Sequence, residues 1–361
     1  MGIRVILLAL CAVAVPGSTA ATFEELAAQA DAARNADHLP QAIELYRQAV
    51  QLKPAWPDGW WFLGTLFYDS DRYAEGTQAF AEFVKLQENA APGWAFLGLC
   101  EFETGEYQHA LEHIQRGLSP GSGLEPDLEQ VLRFHEALLL TRLSLFDRAR
   151  RQYKRLVRRG IHDPALIAGL GLNALQRPML PREVPVGQHG VVAAAGQTAY
   201  TWTTADDPKT AAAFRALLDA YPTAPGVHYF FATYLLSSHR DQALAELQRE
   251  LDENPGHVGA RATMALLLLR DGLAAAALPY ARKAVEDQPS NPWAQYVYAL
   301  NLGDLRQAIG HLETAERIDP SNIEYHMALA GDYAKAGRYE DSRRERQTSI
   351  RLAKESEPDG P

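Results

Sequence analysis

The sequence predicts an all-α fold, an α-solenoid of stacked antiparallel helix pairs. Two observations predict it. Residue types recur every 34 positions through the first half of the chain, and prolines and alanines recur at a similar step through the second. In the first half, Trp60 and Trp94, Leu63 and Leu97, Gly64 and Gly98, Tyr73 and Tyr107, and Phe80 and Ile114 are each one step apart, and Ala42, Gly76 and Ala110 extend the register over three units. In the second half, Pro222, Pro255, Pro289 and Pro320 step by 33, 34 and 31, with Ala243, Ala277 and Ala308 at the matching small position. A self-similar period of this length marks a repeat array.

Each position has a physical reason. Large residues at helical spacing, such as Trp60, Leu63 and Phe67, fill the volume on one helix face. Two helices approach to ~8–10 Å only where side chains are small, which calls for Gly64, Gly98, Ala110 and Ala277. Proline cannot continue a helix and sets up the next turn. One helix pair buries too little apolar surface to stand alone, so neighbours must stack and cover one another.

This pattern resembles the tetratricopeptide repeat. The best unit is Pro57 to Ala90, where Trp60, Leu63, Gly64, Phe67, Tyr73, Gly76 and Phe80 fall on the family's large and small positions. Units start near Phe23, Pro57, Ala91, Gln130, Val191, Pro225, Val258, Pro292 and Ile323, and those at Gln130, Val191 and Pro292 depart most from the pattern. The expected organisation is an N-terminal repeat block over 21–160, a connecting helix and proline- and glycine-rich seam over 161–190, and a C-terminal block over 191–352. The seam follows a helix near Pro164 to Leu175 that lacks an evident second helix; it either bends the solenoid or packs on its flank. The polar tail, 353–361, is expected to be disordered.

Composition narrows the function. The 361 residues are 47% hydrophobic and 22% charged, ordinary globular values, and 35 basic against 45 acidic residues give a net charge of −10. That balance speaks against general nucleic-acid binding, which needs a positive field. Residues 1–20 carry Arg4, an apolar run from Val5 to Val15 and small residues before Ala21, the pattern of a cleaved signal peptide. The run is shorter than the ~20 residues a helix needs to span a bilayer. Export to the periplasm or outside the cell is therefore expected. A lipoprotein signal at Cys11 is disfavoured by the bulky Leu10, and membrane contact is not predicted. Cys100, among Leu97, Leu99 and Phe102, reads as a buried inert thiol.

Two motifs carry other chemistry. His109-Ala110-Leu111-Glu112-His113 matches the spacing of inverted zinc peptidases, two histidines four apart on one helix face. However, Ala110 is the small repeat position, so both histidines occupy variable places in a repeat already explained by packing. Arg148, Arg150, Arg151, Lys154, Arg155, Arg158 and Arg159 flank a buried stripe of Ala149, Tyr153 and Leu156. They read as a solvated helix face, or as a docking patch for an acidic partner or anionic lipid surface. Gly169 and Gly171 sit inside a helical run and read as close-packing positions. Nucleophilic triads, phosphate-binding glycine loops and paired cysteines are absent from the sequence.

The resemblance implies a concave groove in which the first helix of each unit holds a protein or peptide. Carried across, the family's ligand positions fall on Trp61, Thr65, Tyr68, Phe102, Phe134, Tyr229, Thr233, Trp293 and Tyr296. The basic clamp that some members use for a peptide carboxylate is missing, its places taken by Ala27, Asp31, Trp61, Thr65 and Ala95. The expected function is that of a non-catalytic scaffold or adaptor with no cofactor and no metal. Its rivals are a membrane-attached envelope component and a metal-dependent hydrolase.

Overall fold

The computed structural model describes residues 21–356, and they form nineteen α-helices with no strand among them. Four hairpins come first: α1 (Phe23–Asn35) with α2 (Leu39–Leu52), α3 (Pro57–Asp69) with α4 (Tyr73–Leu86), α5 (Ala91–Thr104) with α6 (Tyr107–Gly117), and α7 (Pro126–Arg142) with α8 (Phe146–Arg158). Next come α9 (Pro164–Ala174), α10 (His189–Thr204) and the single helix α11 (Asp207–Ala220). Four further hairpins follow: α12 (Val227–Leu235) with α13 (Arg240–Glu253), α14 (Val258–Arg270) with α15 (Ala274–Asp287), α16 (Pro292–Leu300) with α17 (Leu305–Ile318), and α18 (Ile323–Lys335) with α19 (Tyr339–Ser356). α19 thus runs into the predicted tail as far as Ser356; the predicted signal peptide and residues 357–361 lie outside the described residues.

The 34-residue period has a backbone origin. Within the hairpins the chain reverses through one left-handed residue: Asp37, Asp71 and Gly105, with φ of 59°, 55° and 87°, fall one period apart, and Ser144, Gly272 and Gly337 repeat the device. Between hairpins, a residue in the first turn of a first helix returns a hydrogen bond to the carbonyl six residues earlier. Trp60 donates to Pro54 (2.8 Å), Trp94 to Glu88 (2.8 Å), His228 to Pro222 (2.7 Å), Gln295 to Pro289 (2.7 Å) and His326 to Pro320 (2.9 Å), and Arg261 does the same to Pro255. The donor satisfies a linker carbonyl that lies beyond the helices' own hydrogen bonds. Indole, imidazole, amide and guanidinium groups all supply one.

The same residues cross-link each hairpin. His228 Nδ1 lies 2.6 Å from Glu246 of α13, His326 Nδ1 2.6 Å from Glu345 of α19, and Gln295 2.6 Å from His311 of α17, while Arg261 pairs with Asp287. Small residues act where expected: a Cβ at Gly64 would meet the Phe80 ring at 2.8 Å, and one at Gly98 the backbone of Ile114 at 2.9 Å.

The region read as a connecting helix needs correction, because α9 does have a partner. It pairs with α10 across the seam, and the two backbones touch where Gly171 and Gly196 remove the side chains. A Cβ at Gly171 would lie 1.9 Å from the Val192 carbonyl oxygen, and one at Gly196 1.9 Å from that of Ile167. One apolar cluster runs from Ala95 through Leu139, Tyr153, Leu172 and Val192 to Phe230. The core is therefore continuous through the seam.

The seam itself packs on the N-terminal hairpins. It contains two short 3₁₀ turns, Pro181–Glu183 and Val186–Gln188. Arg182 pairs with Glu103 (2.5 Å), donates to the Phe102 carbonyl (3.3 Å) and lies over the Phe102 ring, while Glu183 pairs with Arg142 (3.3 Å). At the other end of the curve, Arg148 pairs with Asp319 (3.5 Å) and Gln288 donates to Ser144 (3.4 Å). These contacts bring the α7–α8 end against the linkers of the last hairpins, so the solenoid closes on itself.

Candidate functional site

Beside this closure lies an open cavity of about 700 Å³, within the range of ligand pockets. Its wall is drawn from far apart in sequence: Asp147, Arg150, Arg151 and Lys154 of α8, Asn173 of α9, Trp202 of α10, Tyr229 and Thr233 of α12, Thr263 and Arg270 of α14, Trp293 of α16, and Glu324 and Tyr325 of α18. Leu352 of α19 also reaches it. Tyr153 and Leu156 hold α8 in the core, fully or almost fully buried, and the basic flank beside them lines the cavity. Tyr229 is anchored by Gln176, which donates to its hydroxyl (2.6 Å), and by His257, whose ring lies 4.6 Å away. Trp293 stacks on Tyr296 at 5.5 Å. Burial holds the Tyr229 phenol well above its ordinary pKa, so it is a neutral hydrogen-bonding group.

The charges lining this cavity run against those of the whole chain. Five cations, Arg150, Arg151, Lys154, Arg240 and Arg270, face three acids, Asp147, Asp319 and Glu324. Arg150 is paired with Asp147 (3.1 Å) and Arg240 with Asp271 (2.7 Å). Among the described residues, Arg151, Lys154 and Arg270 have no carboxylate within 4.0 Å. Burial, with Arg150 and Arg158 alongside, lowers the Lys154 pKa, and its ammonium lies 5.7 Å from the Trp202 ring.

The tetratricopeptide-repeat family model matches residues 27–91, 63–123 and 233–292. These segments are tetratricopeptide repeats. Among solved structures, MamA 41-end from Desulfovibrio magneticus RS-1 is 17% identical, with 47% of this chain and 97% of that one covered at a TM-score of 0.38. The Cut9 and Hcn1 hetero-tetramer of APC/C is 15% identical over 92% of this chain and 73% of its own, TM-score 0.35, and yeast Tom70 is 13% identical over 92% and 91%, TM-score 0.30. A search of curated proteins returns no match.

The positions implied by the tetratricopeptide-repeat resemblance divide into two groups. Tyr229, Thr233 and Trp293 line the cavity, with Tyr296 stacked behind Trp293. In the N-terminal block, Trp61 packs on Phe80, Phe83 and Phe96, and Tyr68 on Tyr73 and Phe96, so both rings fill the interface between neighbouring hairpins. The Thr65 hydroxyl is turned back to the Phe62 carbonyl (3.0 Å). Phe102 is buried under Arg182 of the seam, and Phe134 packs with it in the same cluster. The chain's own seam therefore covers the groove position of α5.

The other motifs are absorbed by packing. His113 Nδ1 lies 2.7 Å from Glu101 and its ring stacks on Trp94, which leaves His109 exposed without it. No group of three His, Cys, Asp or Glu placed to hold a metal occurs among the described residues. Cys100 is fully buried, and burial pushes its thiol up to about 12. No described helix is long and apolar enough to cross a membrane. The basic helix separates into parts: Arg148 joins the closing contact, Arg150, Arg151 and Lys154 line the cavity with both arginines solvent-exposed, and Arg155, Arg158 and Arg159 lie outside it.

Proposed function

We propose that this protein is a non-catalytic scaffold, acting outside the cytoplasm, that holds a segment of a partner protein in the cavity between α8 and the first helices of the C-terminal hairpins. One observation carries the reading: a large concave space among the described residues is lined by aromatic and cationic side chains drawn from α8, α10, α12, α14 and α16. Aromatic side chains supply large binding area at little entropic cost, and truncating such anchors often costs ~2 kcal/mol or more. The only cysteine of the described residues lies outside the cavity, in the core between α4 and α5. Export is supported by the signal-like pattern of residues 1–20, and the mass of the mature N-terminus tests it.

Groove binding is tested with a displayed library of random peptides of about eight residues, selected on the purified protein. Thr233, half-buried on the cavity wall, is changed to tryptophan to fill the space. Enriched peptides that bind the parent and lose the Thr233→Trp variant support the reading. Peptides that bind both equally place recognition elsewhere and overturn it.

A further inference from the structure

We propose that the segment held in this cavity is acidic, its carboxylates taken by Arg151, Lys154 and Arg270 and its apolar side chains by Trp202 and Trp293. The proposal deepens the groove reading above and rests on it.

Charge complementarity is the argument. The cavity of a chain with net charge −10 is lined by five cations against three acids. Two of those cations already have acids beside them, and the remaining three have none among the described residues. An anionic guest placed among them meets attraction that no acid of the described wall already satisfies. Lys154 is half-buried, and its pKa is lowered by burial first and by Arg150 and Arg158 after it.

The origin of these cations separates the site from a carboxylate clamp of first-helix residues. Arg151 and Lys154 come from a second helix, α8, that faces inward only because the solenoid closes through Arg148 and Asp319. A flat anionic membrane is the other surface that arginines attract, but it matches a concave wall drawn from several helices less well than a peptide does. Arg155 and Arg158, exposed on the same helix as Arg151 is, lie outside the cavity and serve as an internal control.

The library described above supplies the test. Peptides whose binding depends on the open cavity are sequenced, and representatives are measured by fluorescence anisotropy beside versions with every Asp and Glu replaced by Asn and Gln. The expected result is enrichment in Asp and Glu, affinity about tenfold or more above the neutral versions, and weakening with salt. Arg151→Glu and Arg270→Glu should each remove most of that preference, whereas Arg155→Glu should not. Circular dichroism melts keep a folding defect distinct from a binding defect. If cavity-dependent peptides are neutral or basic, or the charge reversals leave their affinity unchanged, the inference fails and the groove reading stands. If no peptide depends on the cavity, both fail. Vesicles containing phosphatidylserine are run in parallel: binding reduced alike by Arg151→Glu and Arg155→Glu would make the helix a lipid-facing surface and overturn the proposal. So would tighter acidic-peptide binding by a variant ending at Ser356, which would assign the guest to the chain's own Glu357 and Asp359.

Discussion

Replacing Gly171 by alanine adds one methyl group at the point where α9 and α10 cross. The new Cβ would stand 1.9 Å from the Val192 carbonyl oxygen and 3.0 Å from the Gly196 amide nitrogen. Ordinary contact starts about 1.5 Å further out, and the obstacle is backbone on both sides, so no rotamer change relieves it. The helices must separate, although Leu166, Leu172 and Val192 there are buried at 5% exposure or less. Overpacking costs ~1–3 kcal/mol where side chains can yield, and this contact belongs at the upper end, about 3 kcal/mol. The control is Gly310→Ala on exposed α17, where a Cβ meets nothing within 4 Å; helix propensity alone should stabilise it by about 1 kcal/mol. Urea unfolding followed by circular dichroism reads both. Because α9 and α10 join the two halves of the core, Gly171→Ala should also split the transition into two. A Gly171→Ala midpoint equal to or above that of the parent would refute the backbone-contact account of this pair.

Other outcomes follow from the same structure. Trp94→Phe leaves the Glu88 carbonyl without its donor and should cost about 1–2 kcal/mol in urea unfolding, more than a ring of similar volume would suggest. The stability of the fold should decline as pH falls below about 6.5: burial lowers the pKa of both His257 and His135, so the unfolded chain takes up protons the folded one resists. Each histidine contributes up to about 1.4 kcal/mol per pH unit until its folded pKa is reached. His257 Nδ1 accepts the Ala260 amide as an N-cap (3.0 Å), so His257→Asn keeps the cap, removes the titration and should flatten part of that decline. Cys100 should resist thiol reagents in the native protein at pH 8 and react fully after unfolding.

The repeat was legible where its positions kept the same kind of side chain. Trp60 and Trp94 announced the period, but His228, Arg261, Gln295 and His326 hold the same place unrecognised, because that place requires an N–H donor for a linker carbonyl and not an aromatic ring. The pairing of α9 with α10 was hidden by the intervening seam, and its decisive contact, Gly171 on Val192, joins residues whose approach no local pattern encodes. For the cavity, Tyr229, Thr233 and Trp293 could be named because they sit on first helices at family positions. Arg151 and Lys154 looked like a solvated flank. Which side of α8 is enclosed depends on the long-range closure through Arg148 and Asp319, and a single helix carries no mark of it. Nor could the sequence show that the seam covers Phe102, although Arg182 and Glu183 supplied charges that α5 and α7 could pair.

The most direct measurement of the central claim is a crystal structure of the protein with an enriched peptide bound. The account predicts an extended peptide between α8 and the first helices of the C-terminal hairpins, with carboxylates at Arg151 and Arg270. A peptide seated on the outer faces of the hairpins, with the cavity still open, would contradict it.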